Sequence, residues 1–186
     1  GTTQSKRYGA TINPWNTELN SGGSSGGSAS AVAAGMGPLS IGTDGGGSVR
    51  IPCSFCGLFG HKPTFGKVPA YPISPFGTVA NIGPISRTVA DGGLLMNVIA
   101  KPDNDDWYSL PDDKVNYNEF NLNDVKNLKI GVFKYWGMKN FFNHISLENS
   151  IDVVYENILK ELKKAGLQLT FDSKIIWPNN PADIFK

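Results

Sequence analysis

Residues 22–57 read GGSSGGSASAVAAGMGPLSIGTDGGGSVRIPCSFCG, and the fold turns on how the two glycine clusters in this stretch are read. The first cluster, with its serines, has the composition of a flexible linker. It is too short and too tightly joined to an alanine-rich run to be low-complexity sequence. From Gly26 to Met36 small side chains dominate without strand alternation, which predicts a short, closely packed helix stopped by Pro38. LSIGTD at 39–44 is a short apolar strand, and GGGSVRIPCSFCG at 45–57 is a loop opening into one or two helical turns that Gly57 ends. Strand, tight loop and helix start therefore meet at Ser48. That arrangement holds one hydroxyl and several backbone N–H groups together at the tip of a sheet.

Outward from this core, residues 58–85 carry five prolines, at 63, 69, 72, 75 and 84, and four glycines, which predicts a loop held by its prolines. SRTVADGGLLMNVIA at 86–100 predicts a helix with Ser86 as N-cap and Val89, Leu94, Leu95 and Ile99 facing inward. Residues 101–128 are acidic and polar and read as a surface connection. LKIGVF at 128–133 has the composition of a buried strand. Beyond it, Ile151, Val154, Ile158 and Leu162 form the stripe of an amphipathic helix over 147–165, which Gly166 ends, and LQLTFD at 167–172 alternates like a strand. Strand, helix, strand in that order predicts a parallel pair with a crossover helix, hence an α/β fold.

The chain has 186 residues, 40% hydrophobic and 18% charged, enough to bury a core, and its formal net charge of +1 offers no field for nucleic acid or anionic lipid. A small molecule is the expected partner, without nucleic acid. No apolar run reaches the roughly 20 residues that span a bilayer, so the expected location is cytoplasmic. GTTQSKRYGATINPW, at the start, has neither an initiator Met nor a regular element and reads as the beginning of a fragment. Cys53 and Cys56 form a C-x-x-C, but His61 and His144 stand at no convincing metal-site spacing, so two buried, reduced thiols are expected, with no metal.

Glycine before a helix can cradle phosphate. GLFGHKPT at 57–64 lacks the Lys-Ser/Thr ending of a P-loop, and neither glycine cluster supplies G-x-G-x-x-G at a strand end. The other use of such a loop is to aim consecutive amides at a developing oxyanion, here Gly45, Gly46, Gly47 and Ser48, with the Ser48 hydroxyl beside them as nucleophile. A serine attacks only when something accepts its proton. Neither His61 nor His144 is flanked as in a Ser-His-Asp triad, which leaves a Ser-Lys relay as the other known solution.

GGSSGGSASAVAAGMGPLSIGTDGGGSVRIPCSFCGLFGHKPT at 22–64, followed by NIGPISRTVADGGLLMNVI at 81–99, resembles the amidase signature family. The resemblance implies a mixed β-sheet core covered by helices on both faces, and hydrolysis of a carboxamide C–N bond through a Ser-cisSer-Lys relay and a seryl acyl-enzyme, with no cofactor. By position Ser48 matches the family nucleophile and Ser24 the bridging serine, which follows a cis peptide, here Gly23–Ser24. Asp44 and Arg50 match residues that brace the loop, and Gly23 and Thr43 match positions lining the substrate pocket. The family lysine lies upstream of the bridging serine, on a segment this sequence does not contain; Lys6 stands too near, and Lys62 matches a different, structural position.

Residues 1–186 are thus expected to be part of one amidase domain: a signature core over 22–99, the surface connection over 101–128, and a βαβ-like continuation over 128–186. The DGGGS run and HKPTFGKVPAYP look more like a free-standing amidase than like the amidase component of a glutamine-dependent tRNA amidotransferase, which carries closely similar loops. A non-catalytic relative that has kept the fold is the alternative of another class. Homo-oligomerisation stays open.

Overall fold

The computed structural model describes residues 1–132 and 149–171. They form two compact units, Gly1–Glu119 and Phe120–Lys186. In the first, two short antiparallel hairpins lead into the signature region: β1 (Gln4–Ser5) with β2 (Gly9–Ala10), and β3 (Ile12–Asn13) with β4 (Asn16–Asn20). Helix α1 (Gly26–Ala33) follows, then β5 (Leu39–Asp44), α2 (Arg50–Cys56), β6 (Phe59–Gly60), β7 (Asn81–Ser86) and α3 (Val89–Ile99). The sheet order is β5-β7-β6, antiparallel throughout, with Leu39 opposite Ser86, Asp44 opposite Asn81, and Phe59 also opposite Ser86.

Helix α1 ends earlier than Pro38 would require. Gly35 takes φ +75°, so that its amide reaches Val32 O and the Met36 amide reaches Ala31 O, the pair of bonds of a Schellman closure. Gly57 ends α2 as expected, at φ +66°. Between the two helices and the sheet lies one cluster of buried side chains, Ala29, Val32, Val49, Cys53, Cys56 and Ile85. A second cluster, Val68, Met96 and Ala100, sits under the polar connection and takes in Tyr117 from it.

Strand β7 corrects the reading of 58–85 as loop. It is the middle strand of its sheet and buried on both faces, so NIGPIS shows no alternation. Pro84 is tolerated because its carbonyl, and with it the side that lacks an N–H, points toward His61, one residue beyond the end of β6; the His61 amide donates to it at 3.3 Å. Gly83 lies too close to the His61 carbonyl for any side chain.

Helix α3 also differs in its start and its face. Thr88, not Ser86, is the N-cap and accepts the Asp91 amide at 3.1 Å, whereas Ser86 ends β7, buried, with its hydroxyl on the Thr88 carbonyl. The buried line is Gly92, Gly93, Met96 and Ala100, while Val89 and Leu94 are 63% and 53% exposed. A Cβ on Gly92 would strike the Phe59 ring, so the helix approaches the sheet through its glycines; of the expected face, Leu95 and Ile99 are half-buried and only Val89 and Leu94 turn outward.

The polar connection is tied down by side-chain and main-chain bonds. Buried Asp106 accepts the amides of Ala70 and Tyr108, Leu110 N–H donates to Gly66 O at 2.8 Å, and Lys67 pairs with Asp113 at 2.6 Å.

In the second unit a short helix, α4 (Leu122–Val125), precedes β8 (Lys129–Val132), α5 (Asn149–Lys164) and β9 (Gln168–Phe171). Strands β8 and β9 are parallel with Lys129 opposite Gln168, which is the crossover arrangement expected. Helix α5 buries Leu159 and half-buries Tyr155 and Leu162, whereas Ile151, Val154 and Ile158 are about half exposed. The helix carries apolar residues on more than one side: of the expected stripe only Leu162 is half-buried, and the most buried position is Leu159. The expected strand and helix ends at 133, 147–148 and 172 lie outside the described residues, as does His144.

Ile85 is fully buried in the central strand and touches the cluster beneath both glycine loops. Ile85→Ala in the longest available form of the protein is expected to lower unfolding free energy by about 2–5 kcal/mol, measured by denaturant titration.

Candidate active site

The second glycine loop is organised by one carboxylate. Asp44, the last residue of β5, is 1% exposed. Its Oδ1 accepts the Gly47 amide at 2.6 Å and Arg50 Nη2 at 3.0 Å; its Oδ2 accepts Arg50 Nε at 2.9 Å and the amides of Val49 and Arg50 at 3.2 and 3.4 Å. The contact is two-pronged, with the carboxylate buried and the Arg50 side chain 51% exposed, so the guanidinium closes over Asp44 from the solvent side. Burial opposes ionisation of Asp44 and is the largest single influence. The Arg50 guanidinium and the amides of Gly47, Val49 and Arg50 together outweigh it and bring the pKa to about 2.

This carboxylate takes one of the four amides expected for an oxyanion. The Gly47 N–H is turned inward onto Asp44, with Gly47 at φ +114°. The amides of Gly45, Gly46 and Ser48 meet no acceptor among the described residues, and Gly45 and Gly46 are exposed. Of these four amides, only that of Gly47 is committed to a partner among the described residues.

The first glycine loop lies against the second. The Ser25 amide donates to the Ser48 carbonyl at 3.1 Å, and Ser25 Oγ accepts the Thr43 amide at 3.2 Å, so the start of α1 is fastened both to the end of β5 and to the loop beyond it. A Cβ on Gly42 would lie 2.8 Å from Ser25 Oγ and 2.9 Å from Val49, which is why β5 needs glycine there. The Gly23–Ser24 peptide is cis. Ser24 is exposed and Ser48 half-buried, on adjoining loops; Thr43 is exposed at the end of β5 and Gly23 buried beside Ser24.

The other candidates stand apart from this arrangement. Lys6 is exposed in the turn between β1 and β2, and Lys62 Nζ donates to the Pro63 carbonyl at 2.9 Å. Cys53 and Cys56 are free and buried, as expected, and burial pushes the Cys53 thiol up to about 12. Among the described residues no three His, Cys, Asp or Glu side chains gather as a metal site, and no helix is long and apolar enough to cross a membrane.

Sequence reasoning passed over Thr3. Its Oγ1 lies 3.0 Å from the carbonyls of both Gly22 and Ser24 and accepts the Gly26 amide, also at 3.0 Å. The signal available in the sequence was weak, because Thr3 lies 21 residues before Ser24 in a stretch without periodicity.

Two glycine loops, the first carrying Ser24 and Ser25 and the second Ser48, are joined by the Ser25 amide on the Ser48 carbonyl. The Amidase family profile matches residues 1–173, and the chain belongs to that family. It is 43% identical over 166 residues, 89% of its length, to a glutamyl-tRNA(Gln) amidotransferase subunit of Sulfurihydrogenibium sp., and 47% identical over 133 residues to the corresponding protein of Methanosarcina mazei. Among solved structures it resembles a bacterial aryl acylamidase of the amidase signature family, with TM-score 0.74, 32% identity and 92% of this chain covered. It also resembles 6-aminohexanoate cyclic dimer hydrolase in complex with substrate, with TM-score 0.80, 30% identity and 92% covered. The chain spans about a third of the length of these relatives, 33% and 28% of the two curated proteins and 34% and 36% of the two solved chains. The amidase signature fold is therefore present in part.

Because the Asp44 pKa is lowered from 3.8 to about 2, its contribution to stability is complete above pH 4 and is lost as pH falls toward 2. Asp44→Asn is expected to flatten the acid limb of stability between pH 4 and 2 and to cost about 2 kcal/mol at pH 7, read from denaturant unfolding at a series of pH values.

Proposed function

We propose that this chain carries the nucleophile and relay serine of an enzyme that hydrolyses the C–N bond of a carboxamide. The observation that carries the reading is the join between the two glycine loops, Ser25 N–H to Ser48 O, beneath two serines whose hydroxyls are otherwise uncommitted among the described residues. Ser48 Oγ attacks the amide carbonyl carbon and passes its proton to Ser24 Oγ, which hands its own proton to a neutral lysine. That lysine is sought outside these residues, since Lys6 and Lys62 are placed elsewhere. The oxyanion accepts from the amides of Gly45, Gly46 and Ser48, while Gly47 holds the loop's shape through Asp44. The amine leaves with a proton returned along the relay, and water then releases the acid from the seryl ester. Gly23 and Thr43, beside the two serines, line the entrance for substrate, and Asp44 and Arg50 support the loop. Each step needs only serine, lysine and amides, so no cofactor is invoked. The substrate is small and the enzyme cytoplasmic on this reading.

A second reading is favoured by the 42–47% identity to the curated tRNA amidotransferase proteins, compared with 26–32% to the solved amidases and cyclic dimer hydrolase. In it the carboxamide is that of glutamine, and turnover depends on partner subunits. The reading from HKPTFGKVPAYP points the other way, to a free-standing amidase. Ammonia release from glutamine by the full-length protein alone and with added partner subunits separates the two.

In the full-length protein, Ser48→Ala is expected to abolish amide hydrolysis and labelling by a fluorophosphonate, and Ser24→Ala to slow both severely while leaving a trace. Peptide mass mapping should place the label on Ser48. Turnover unchanged in Ser48→Ala would overturn the mechanism, and a native protein that takes no label would favour a non-catalytic relative.

A further inference from the structure

We infer that Thr3 is a positioning residue for the relay serine, acting through the main chain on both sides of Ser24; the inference rests on the proposed function. The loop from Gly22 to Gly26 has little of its own to hold it, being glycine at three of five positions. Thr3 supplies the missing attachment. Its Oγ1 lies 3.0 Å from Gly22 O, 3.0 Å from Ser24 O and 3.0 Å from the Gly26 amide. The Gly26 N–H donates to the hydroxyl oxygen, so the hydroxyl's single proton is directed to one of the two carbonyls, one preceding Ser24 and one belonging to it. Among the described residues no other side chain bonds the main chain of Ser24 or Gly26.

The fit around this hydroxyl is close. A Cβ on Gly23 would lie 2.5 Å from the Thr2 carbonyl carbon and 2.9 Å from the Thr3 amide nitrogen, and one on Gly26 would lie 3.0 Å from Thr3 Cβ and strike Thr3 Oγ1. The loop therefore rests on the Thr2–Thr3 backbone at a distance that only glycine permits. A threonine suits the position because its branched Cβ leaves few χ1 choices, so the hydroxyl is aimed before the loop closes on it. Ser25, next along, is bonded to Ser48 and Thr43. Ser24 is thus suspended between Thr3 on one side and the nucleophile loop on the other, and a shift at Thr3 is transmitted to the relay hydroxyl with no contact between Thr3 and the nucleophile.

The test is the second-order rate of Ser48 labelling by a fluorophosphonate in the full-length protein. Thr3→Val, which keeps the shape and removes the hydroxyl, is expected to slow labelling at least tenfold. Thr3→Ser, which keeps the hydroxyl, should stay within threefold of the native rate. Should Thr3→Val not accumulate in folded form, Thr3→Ala is read in the same way. The effect of Thr3→Val should largely vanish in a Ser24→Ala background, because the relay it positions is then already absent. A labelling rate within threefold of native in the folded Val or Ala variant would overturn the inference, as would Thr3→Ser as slow as Thr3→Val or full additivity with Ser24→Ala. Native labelling in Ser24→Ala alone would overturn the proposed relay and this inference with it; a slow Ser24→Ala beside a native-rate Thr3→Val would overturn this inference only.

Discussion

A single buried carboxylate shapes the second glycine loop. Asp44 receives three main-chain amides and a two-pronged guanidinium, and these bonds turn the chain from the end of β5 into the first turn of α2 within six residues. A charge in this position is tolerable because every side of it is answered by a donor. The consequence is that Gly47 points inward. The same bond that gives the loop its curvature commits one amide to Asp44, whereas those of Gly45, Gly46 and Ser48 meet no acceptor among the described residues.

The rest of the site is a matter of closeness. α1 packs on β5 and α2 through alanine, serine and glycine, and Ser25 spans from one loop to the other with its amide on Ser48 and its hydroxyl on Thr43. Side chains large enough to fill a core by themselves are few here; Val32, Val49 and Ile85 do most of that. The glycine-rich composition that resembles a linker is thus a requirement of backbone-to-backbone contact. Where neighbouring atoms close on the chain, at Gly42 and Gly26, glycine marks order rather than freedom.

The signature core was legible because its elements are short and punctuated: the strand at 39–44, the helical turns closed by Gly57, and the position of Ser48 at their junction all stand as read. The parallel pair β8 and β9 with its crossover helix was legible from periodicity. Strand β7 was not, since a middle strand buried on both faces has no alternation and its proline looked like a loop residue until the end of β6 showed where the missing N–H falls. The faces of α3 and α5 were legible only in part, at Leu95, Ile99 and Leu162, for a related reason. Counting large apolar residues finds the oiliest line, but α3 approaches its sheet through Gly92, and α5 has apolar residues to spare. Thr3 was hidden because its role is to reach across 21 residues to main-chain atoms, and main-chain partners leave no mark in a pattern of side chains.

The amides of Gly45, Gly46 and Ser48 belong to the backbone, and no single substitution can delete one except by proline. Inheritance can therefore rewrite the residues around the mouth, and with them whatever is admitted, while the donors themselves pass unchanged from one descendant to the next. What such a lineage must preserve is smallness: the bare Cα positions that let the loops touch. Mutational drift in this region would be policed by volume as well as by the charge pair of Asp44 and Arg50.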